Sequence, residues 1–183
     1  MNHQPATQPA AATPLKLHVG GEIPKAGWKI YNIVDGPHVD YVGDVVDLSR
    51  FTDASVAEIY ASHVYEHLGY APFLDAIAEV ARVLKPGGIF RLAVPDMERL
   101  CALYLQPELS LDDRVHLTHL FFGGQTNPYD FHRLGLNFAI LATLLHQAGF
   151  REMRRVESFG LFDDCSEYRF KDIPISLNVI ALR

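Results

Sequence analysis

Two hydrophobic periodicities meet near the middle of this chain. Residues 71–84 place Phe73, Leu74, Ile77, Ala81 and Leu84 at the three-and-four spacing of a single helical face, while residues 89–95 are a nearly continuous apolar run of strand length. Lys85-Pro86-Gly87-Gly88 stands between them and punctuates the change, since proline and paired glycines end a helix. That is the helix-to-strand half of a parallel α/β unit. The same reading gives strands at 15–19, 29–34, 39–48 and 56–62, with a helix starting at Met97 behind Asp96 and another over 110–122. A long loop at 123–136 follows, then an amphipathic helix through Ile140, Leu141, Leu144, Leu145 and Ala148 closed by Gly149, and two late strands at 151–159 and 176–182. This order predicts an α/β fold: a mostly parallel, doubly wound sheet with a C-terminal antiparallel hairpin. Parallel neighbours normally need a crossover of about a dozen residues. The short link from Val19 to Lys29 contains Gly20, Gly21, Pro24 and Gly27, so the first crossover helix is expected to be short or missing.

Composition narrows the setting. With 183 residues, 49% hydrophobic and 21% charged, the chain has enough apolar material for one sizeable core, so a single domain is expected over residues 15–183, carrying a helical and loop insert at about 97–136. A formal charge of −6 supplies no cationic field for polyphosphates, so nucleic acid is not an expected partner. No apolar run has the length of a membrane span, and two cysteines, Cys101 and Cys165, exclude a disulfide framework. Residues 1–14 are rich in Ala, Pro, Gln and Thr and lack the basic start and apolar block of a signal peptide; they read as a disordered tail, and the protein as cytoplasmic.

Several short motifs fall at the strand ends: Gly27-Trp28, Val39-Asp40, Gly43-Asp44, Ser62-His63, Glu66-His67, Arg82-Val83-Leu84-Lys85-Pro86-Gly87-Gly88 and Val94-Pro95-Asp96. Together they resemble the class I S-adenosylmethionine (SAM)-dependent methyltransferases, in a reduced bacterial form. The resemblance implies a Rossmann-like transferase with SAM as cofactor and a small molecule as methyl acceptor. It also implies cofactor contacts at His18, Gly20, Gly21, Asn32, Asp44, Ser62 and His63, at the carboxyl ends of parallel strands where an open sheet leaves its crevice. Two positions depart from the family pattern. His18 stands where a glycine is usual, and Asn32 stands where an acid would accept both hydroxyls of a ribose; Asp35, three residues on, is a candidate substitute. Those departures motivate an alternative, a non-catalytic binding or partner protein with a degenerate cofactor site. A dinucleotide enzyme is disfavoured because the chain has no third glycine and no first helix to meet a pyrophosphate.

Methyl transfer to a hydroxyl or amine profits from a base, and His67 and His132 are the candidates, because an imidazole titrates near neutral pH. Tyr129 and His132, in the polar and aromatic loop, are expected to face the crevice. His63, Glu66 and His67 also spell His-x-x-Glu-His, the inverted zinc-peptidase motif. That motif needs one continuous helix, whereas a strand precedes His63 and Gly69 and Pro72 follow closely; no third ligand is evident. His116 and His119 are spaced for a helical pair but read as surface. No metal ligand set is therefore expected. Oligomeric state and the acceptor's identity are not legible.

Overall fold

A computed structural model describes residues 13–183; residues 1–12, the greater part of the expected tail, lie outside the described residues. The chain order begins with strands β1 (Leu15–Val19), β2 (Lys29–Asn32), β3 (Tyr41–Val42) and β4 (Val56–Ser62), then helix α1 (Tyr70–Val83) and strand β5 (Leu84–Pro95). Helices α2 (Met97–Tyr104), α3 (Leu111–Phe122) and α4 (Phe138–Gln147) follow, then strands β6 (Arg151–Val156), β7 (Arg169–Phe170), β8 (Ile173–Pro174) and β9 (Ser176–Leu182). Seven strands form one sheet in the order β3-β2-β1-β4-β5-β9-β6, with β7 and β8 as a separate two-stranded hairpin. The first five strands run parallel, and β9 and β6 complete the sheet antiparallel. The expected α/β architecture, with its antiparallel C-terminal pair, is the one observed.

Helix α1 forms where the apolar spacing is regular, and buries Phe73, Ala76, Ile77, Val80 and Ala81 against Leu17, Val19, Ile59 and Ala61 on one face of the sheet. Pro72 sits in its first turn, where a missing N–H costs nothing. Strand β5 starts earlier than the sequence pattern suggests. Leu84 already pairs with Val56, the register shifts across residues 85–88, and pairing resumes at Glu58 with Ile89. The Pro-Gly-Gly segment is thus an irregularity within the strand, held by Gly87 N–H on the Arg183 carbonyl and Arg183 N–H on that of Gly88.

The expected strand at 39–48 shrinks to Tyr41–Val42. Beyond it the Asp44 carboxylate accepts from Val46 N and that of Asp47 from Ser49 N, local turns that divert the backbone from the ladder. Arg82 of α1 locks this segment by donating to the carbonyls of Leu48 and Phe51 and to Asp53 and Glu79.

No helix lies between β1 and β2 among the described residues. The sheet face thereby left bare carries His18, Trp28 and Tyr60, and the segment after β6 covers it with Phe159, Leu161 and Phe162. A late loop does the apolar work of the absent crossover helix.

Candidate functional site

Strands β1 and β2 end side by side, tied by Gly20 N–H on the Tyr31 carbonyl at 2.8 Å, and Gly43 N–H on Asn32 joins the turn after β3 to them. Beyond these ends lies a cavity of about 750 Å³, within the range of small-ligand sites. Val19, Val34, Val45, Val64 and Leu68 give it apolar walls, and Glu22, Asn32, Asp44 and His63 give it polar groups. His67, Tyr129, Asp130 and Arg133 close the opposite rim. Two glycines permit this shape. Gly20 has φ +68°, and a Cβ there would come within 2.3 Å of Val64 Cγ2; a Cβ on Gly43 would meet the Tyr31 hydroxyl at 2.2 Å. That hydroxyl is held 2.9 Å and 2.7 Å from the carbonyls of Asp44 and Asp47, fixing the turn that presents Asp44.

Of the residues anticipated for a cofactor, Gly20, Asn32, Asp44 and His63 line this cavity. His18, Gly21 and Ser62 do not. Strand residues alternate between sheet faces, so with Leu17 and Val19 in the main core, His18 points to the other side. There its ring lies 3% exposed, 4.0 Å from that of Phe162 and 5.1 Å from that of Tyr60. Burial lowers its pKa to about 4, keeping the imidazole neutral. Ser62 shares that face and donates to Asp164 at 3.0 Å. Gly21 abuts His18, where a Cβ would strike the imidazole at 2.4 Å. The Asn32 amide is engaged at both ends, donating to Gly21 O and accepting from Val34 N. Asp35, which accepts from Gly36 N, is not among the lining residues.

At the rim, Glu66 lies in a short 3-10 turn, Tyr65–His67, with 1% of its surface exposed. Its backbone carbonyl accepts from Arg133 N and Leu134 N, and this clamp brings the long loop, and His132 with it, over the turn. The rings of His67 and His132 are 4.9 Å apart, and His132 Nε2 is 3.9 Å from Glu66 Oε1. The two candidate bases, 65 residues apart in sequence, are neighbours in space; His132 itself is not a lining residue, unlike Tyr129. Burial pulls the His132 pKa below its ordinary value against the opposing pull of Glu66. Sequence reasoning missed Glu22, Tyr31 and Arg133 as liners, because nothing in their spacing marks them. His116 meets Tyr168 and stacks on Phe170, apart from this site, and Asp96 caps α2 through Arg99 N and pairs with Arg155.

Solved methyltransferases share this fold. A SAM-dependent methyltransferase from Archaeoglobus fulgidus superposes with a TM-score of 0.59 at 13% identity, covering 94% of this chain and 87% of that one. The 1,6-didemethyltoxoflavin-N1-methyltransferase of Burkholderia thailandensis, solved with bound 1,6-didemethyltoxoflavin and S-adenosylhomocysteine, gives 0.55 at 16% identity, over 93% and 71%. Residues 27–92 match the family model described as "Methyltransferase domain". The fold is methyltransferase-like. The matched segment runs from Gly27 into β5 and so includes Asn32, Asp44 and His63 of the cavity, and Glu66 at its rim. No curated protein matches the sequence significantly.

Proposed function

We propose that this protein is a SAM-dependent methyltransferase acting on a small molecule. The observation that carries the reading is the cavity beyond the carboxyl ends of β1 and β2, the position at which open α/β sheets take their ligands. Its donor set suits a nucleoside without a phosphate: the Asp44 and Glu22 carboxylates accept hydrogen bonds from hydroxyl and amine groups, and the bare backbone at Gly20 allows close approach. Nothing among the lining residues resembles a polyphosphate cradle.

SAM, when bound, supplies an electrophilic methyl group on its sulfonium. The chain's own contribution is then mostly placement: the valines and Leu68 exclude water while the polar rim orients an acceptor. His67 and His132 are presented as proton acceptors. Nδ1 of each lies against a backbone carbonyl, that of Phe131 at 3.3 Å and of Leu120 at 3.0 Å. A carbonyl only accepts, so Nδ1 carries the proton and Nε2 keeps its lone pair. The exposed Tyr129 at the rim and the overall acidity favour a small, uncharged or cationic acceptor over nucleic acid.

Calorimetric titration with S-adenosylhomocysteine tests the proposal. Saturable one-to-one binding is expected; no heat at millimolar ligand sinks it. The doubly engaged Asn32 amide favours the second reading, a methyltransferase-like partner protein without cofactor, and that reading predicts the null titration.

A further inference from the structure

The Glu66 carboxylate is an anomaly that methyl transfer alone does not use. Both of its oxygens are buried and have no hydrogen-bond donor among the described residues. A charged carboxylate so placed costs several kcal/mol unless a positive group offsets it. The nearest candidate is His63, whose Nδ1 lies 3.1 Å from Oε1 but outside hydrogen-bonding alignment. The rest of the His63 environment fixes its tautomer. Ser176 Oγ gives its proton to the Cys165 carbonyl, so at 2.8 Å it must accept from His63 Nε2, and a neutral His63 then turns a lone pair toward the carboxylate. Near the same carboxylate are His67 and His132, the latter with Nε2 at 3.9 Å from Oε1; the Nδ1 atoms of both are committed to backbone carbonyls, which leaves the lone pairs on Nε2. Ring nitrogens and a carboxylate thus converge on one spot as electron-pair donors.

We infer that Glu66, His67 and His132 form a binding site for a divalent first-row transition-metal ion at the rim of the crevice. One ligand atom from each lies within 4.8 Å of the other two. Metal–ligand bonds of about 2.0–2.2 Å set ligand atoms about 3–3.5 Å apart, so the set closes by a movement of about 1 Å or slightly more. Two imidazoles and one carboxylate suit zinc, manganese or iron, and three protein ligands leave coordination positions for a further group. The carbonyls of Phe131 and Leu120 are the outer partners that hold metal-binding imidazoles in the correct tautomer. His63 borders the carboxylate at φ +53°, a backbone conformation uncommon outside glycine.

The sequence hid this site because its third ligand lies 65 residues downstream and the local His-x-x-Glu-His spelling pointed to the wrong partner, His63. The site stands on its own residues, whereas its role rests on the methyl-transfer reading. With a cation seated, the Nε2 lone pairs are occupied, so the histidines no longer act as bases. An acceptor hydroxyl held at an open metal position would instead become more acidic and release its proton to solvent, and the resulting oxyanion would take the methyl as the sulfonium S–C bond breaks and the thioether leaves.

The test is elemental analysis of the full-length protein after incubation with zinc and desalting, with cobalt as a spectroscopic probe. One equivalent of zinc is expected for the wild type, together with the visible absorption of cobalt bound to nitrogen and oxygen. Glu66→Gln and His132→Ala should each fall at least tenfold in occupancy, whereas His119→Ala, an exposed histidine on α3, should keep one equivalent. Because Glu66→Gln alters a buried residue, circular dichroism accompanies each variant, and His132→Ala stands if Glu66→Gln fails to fold. A folded wild type that retains less than a tenth of an equivalent overturns the site, as does full occupancy in folded His132→Ala. S-adenosylhomocysteine titration of the same samples separates the claims: loss there strikes the cofactor reading and leaves the metal site standing.

Discussion

His18 lies against Phe162, ring centroids 4.0 Å apart, across a gap of 144 residues in sequence. The contact shows what replaces the first crossover helix: an aromatic cluster of Trp28, Tyr60 and Phe162 seals the face that such a helix would cover, and His18 belongs to this packing, away from the crevice. Phe162→Ala is expected to cost about 2–4 kcal/mol by cavity formation. Urea denaturation measures it; a loss below about 1 kcal/mol would mean that the late loop is not a structural cover.

The same ring confers a pH dependence. Folding lowers the His18 pKa from 6.5 to about 4, so the unfolded chain binds its proton first as pH falls. Stability contributed by neutral His18 is complete above about pH 6.5 and declines towards pH 4, with a slope of at most about 1.4 kcal/mol per pH unit. Denaturation of the wild type and His18→Phe across this window should give a flatter profile for the variant. Identical slopes would count against the burial of a neutral imidazole.

Arg82 donates to two carbonyls and two carboxylates, tying residues 48–53 to α1. Lysine keeps the charge and loses the planar fork, so Arg82→Lys is expected to destabilise by about 1–2 kcal/mol and to loosen the turn that presents Asp44. Hydrogen exchange at the amides of Val46 to Phe51 reads the loosening directly.

Asp44→Asn isolates charge from shape. The amide oxygen can still cap Val46 N, so the fold is expected to persist, while affinity for S-adenosylhomocysteine falls about tenfold, or about 1.4 kcal/mol. Equal affinity in variant and wild type would remove Asp44 from cofactor binding.

At Gly20, an added Cβ meets Val64 Cγ2 at 2.3 Å and the backbone holds φ +68°. Gly20→Ala should therefore lose about 1–2 kcal/mol of stability and bind S-adenosylhomocysteine more weakly, as thermal melting with and without ligand will report.

Local pattern determined much of this molecule. The apolar face of residues 70–83 and the buried runs of β4 and β5 could bury their side chains only as helix and central strands, so their spacing fixed their type. The brevity of the Val19-to-Lys29 link likewise ruled out an ordinary crossover helix before any packing was known. Tertiary structure decided the rest. Which way His18 points follows from the parity of β1 once Leu17 and Val19 are in the core, and the collapse of the third strand to Tyr41–Val42 follows from side-chain turns that Arg82 then locks. Glu66 and His132 meet because the Glu66 carbonyl captures the amides of Arg133 and Leu134. Contacts of that kind depend on where the chain returns in space, and hydrophobic spacing carries no information about it.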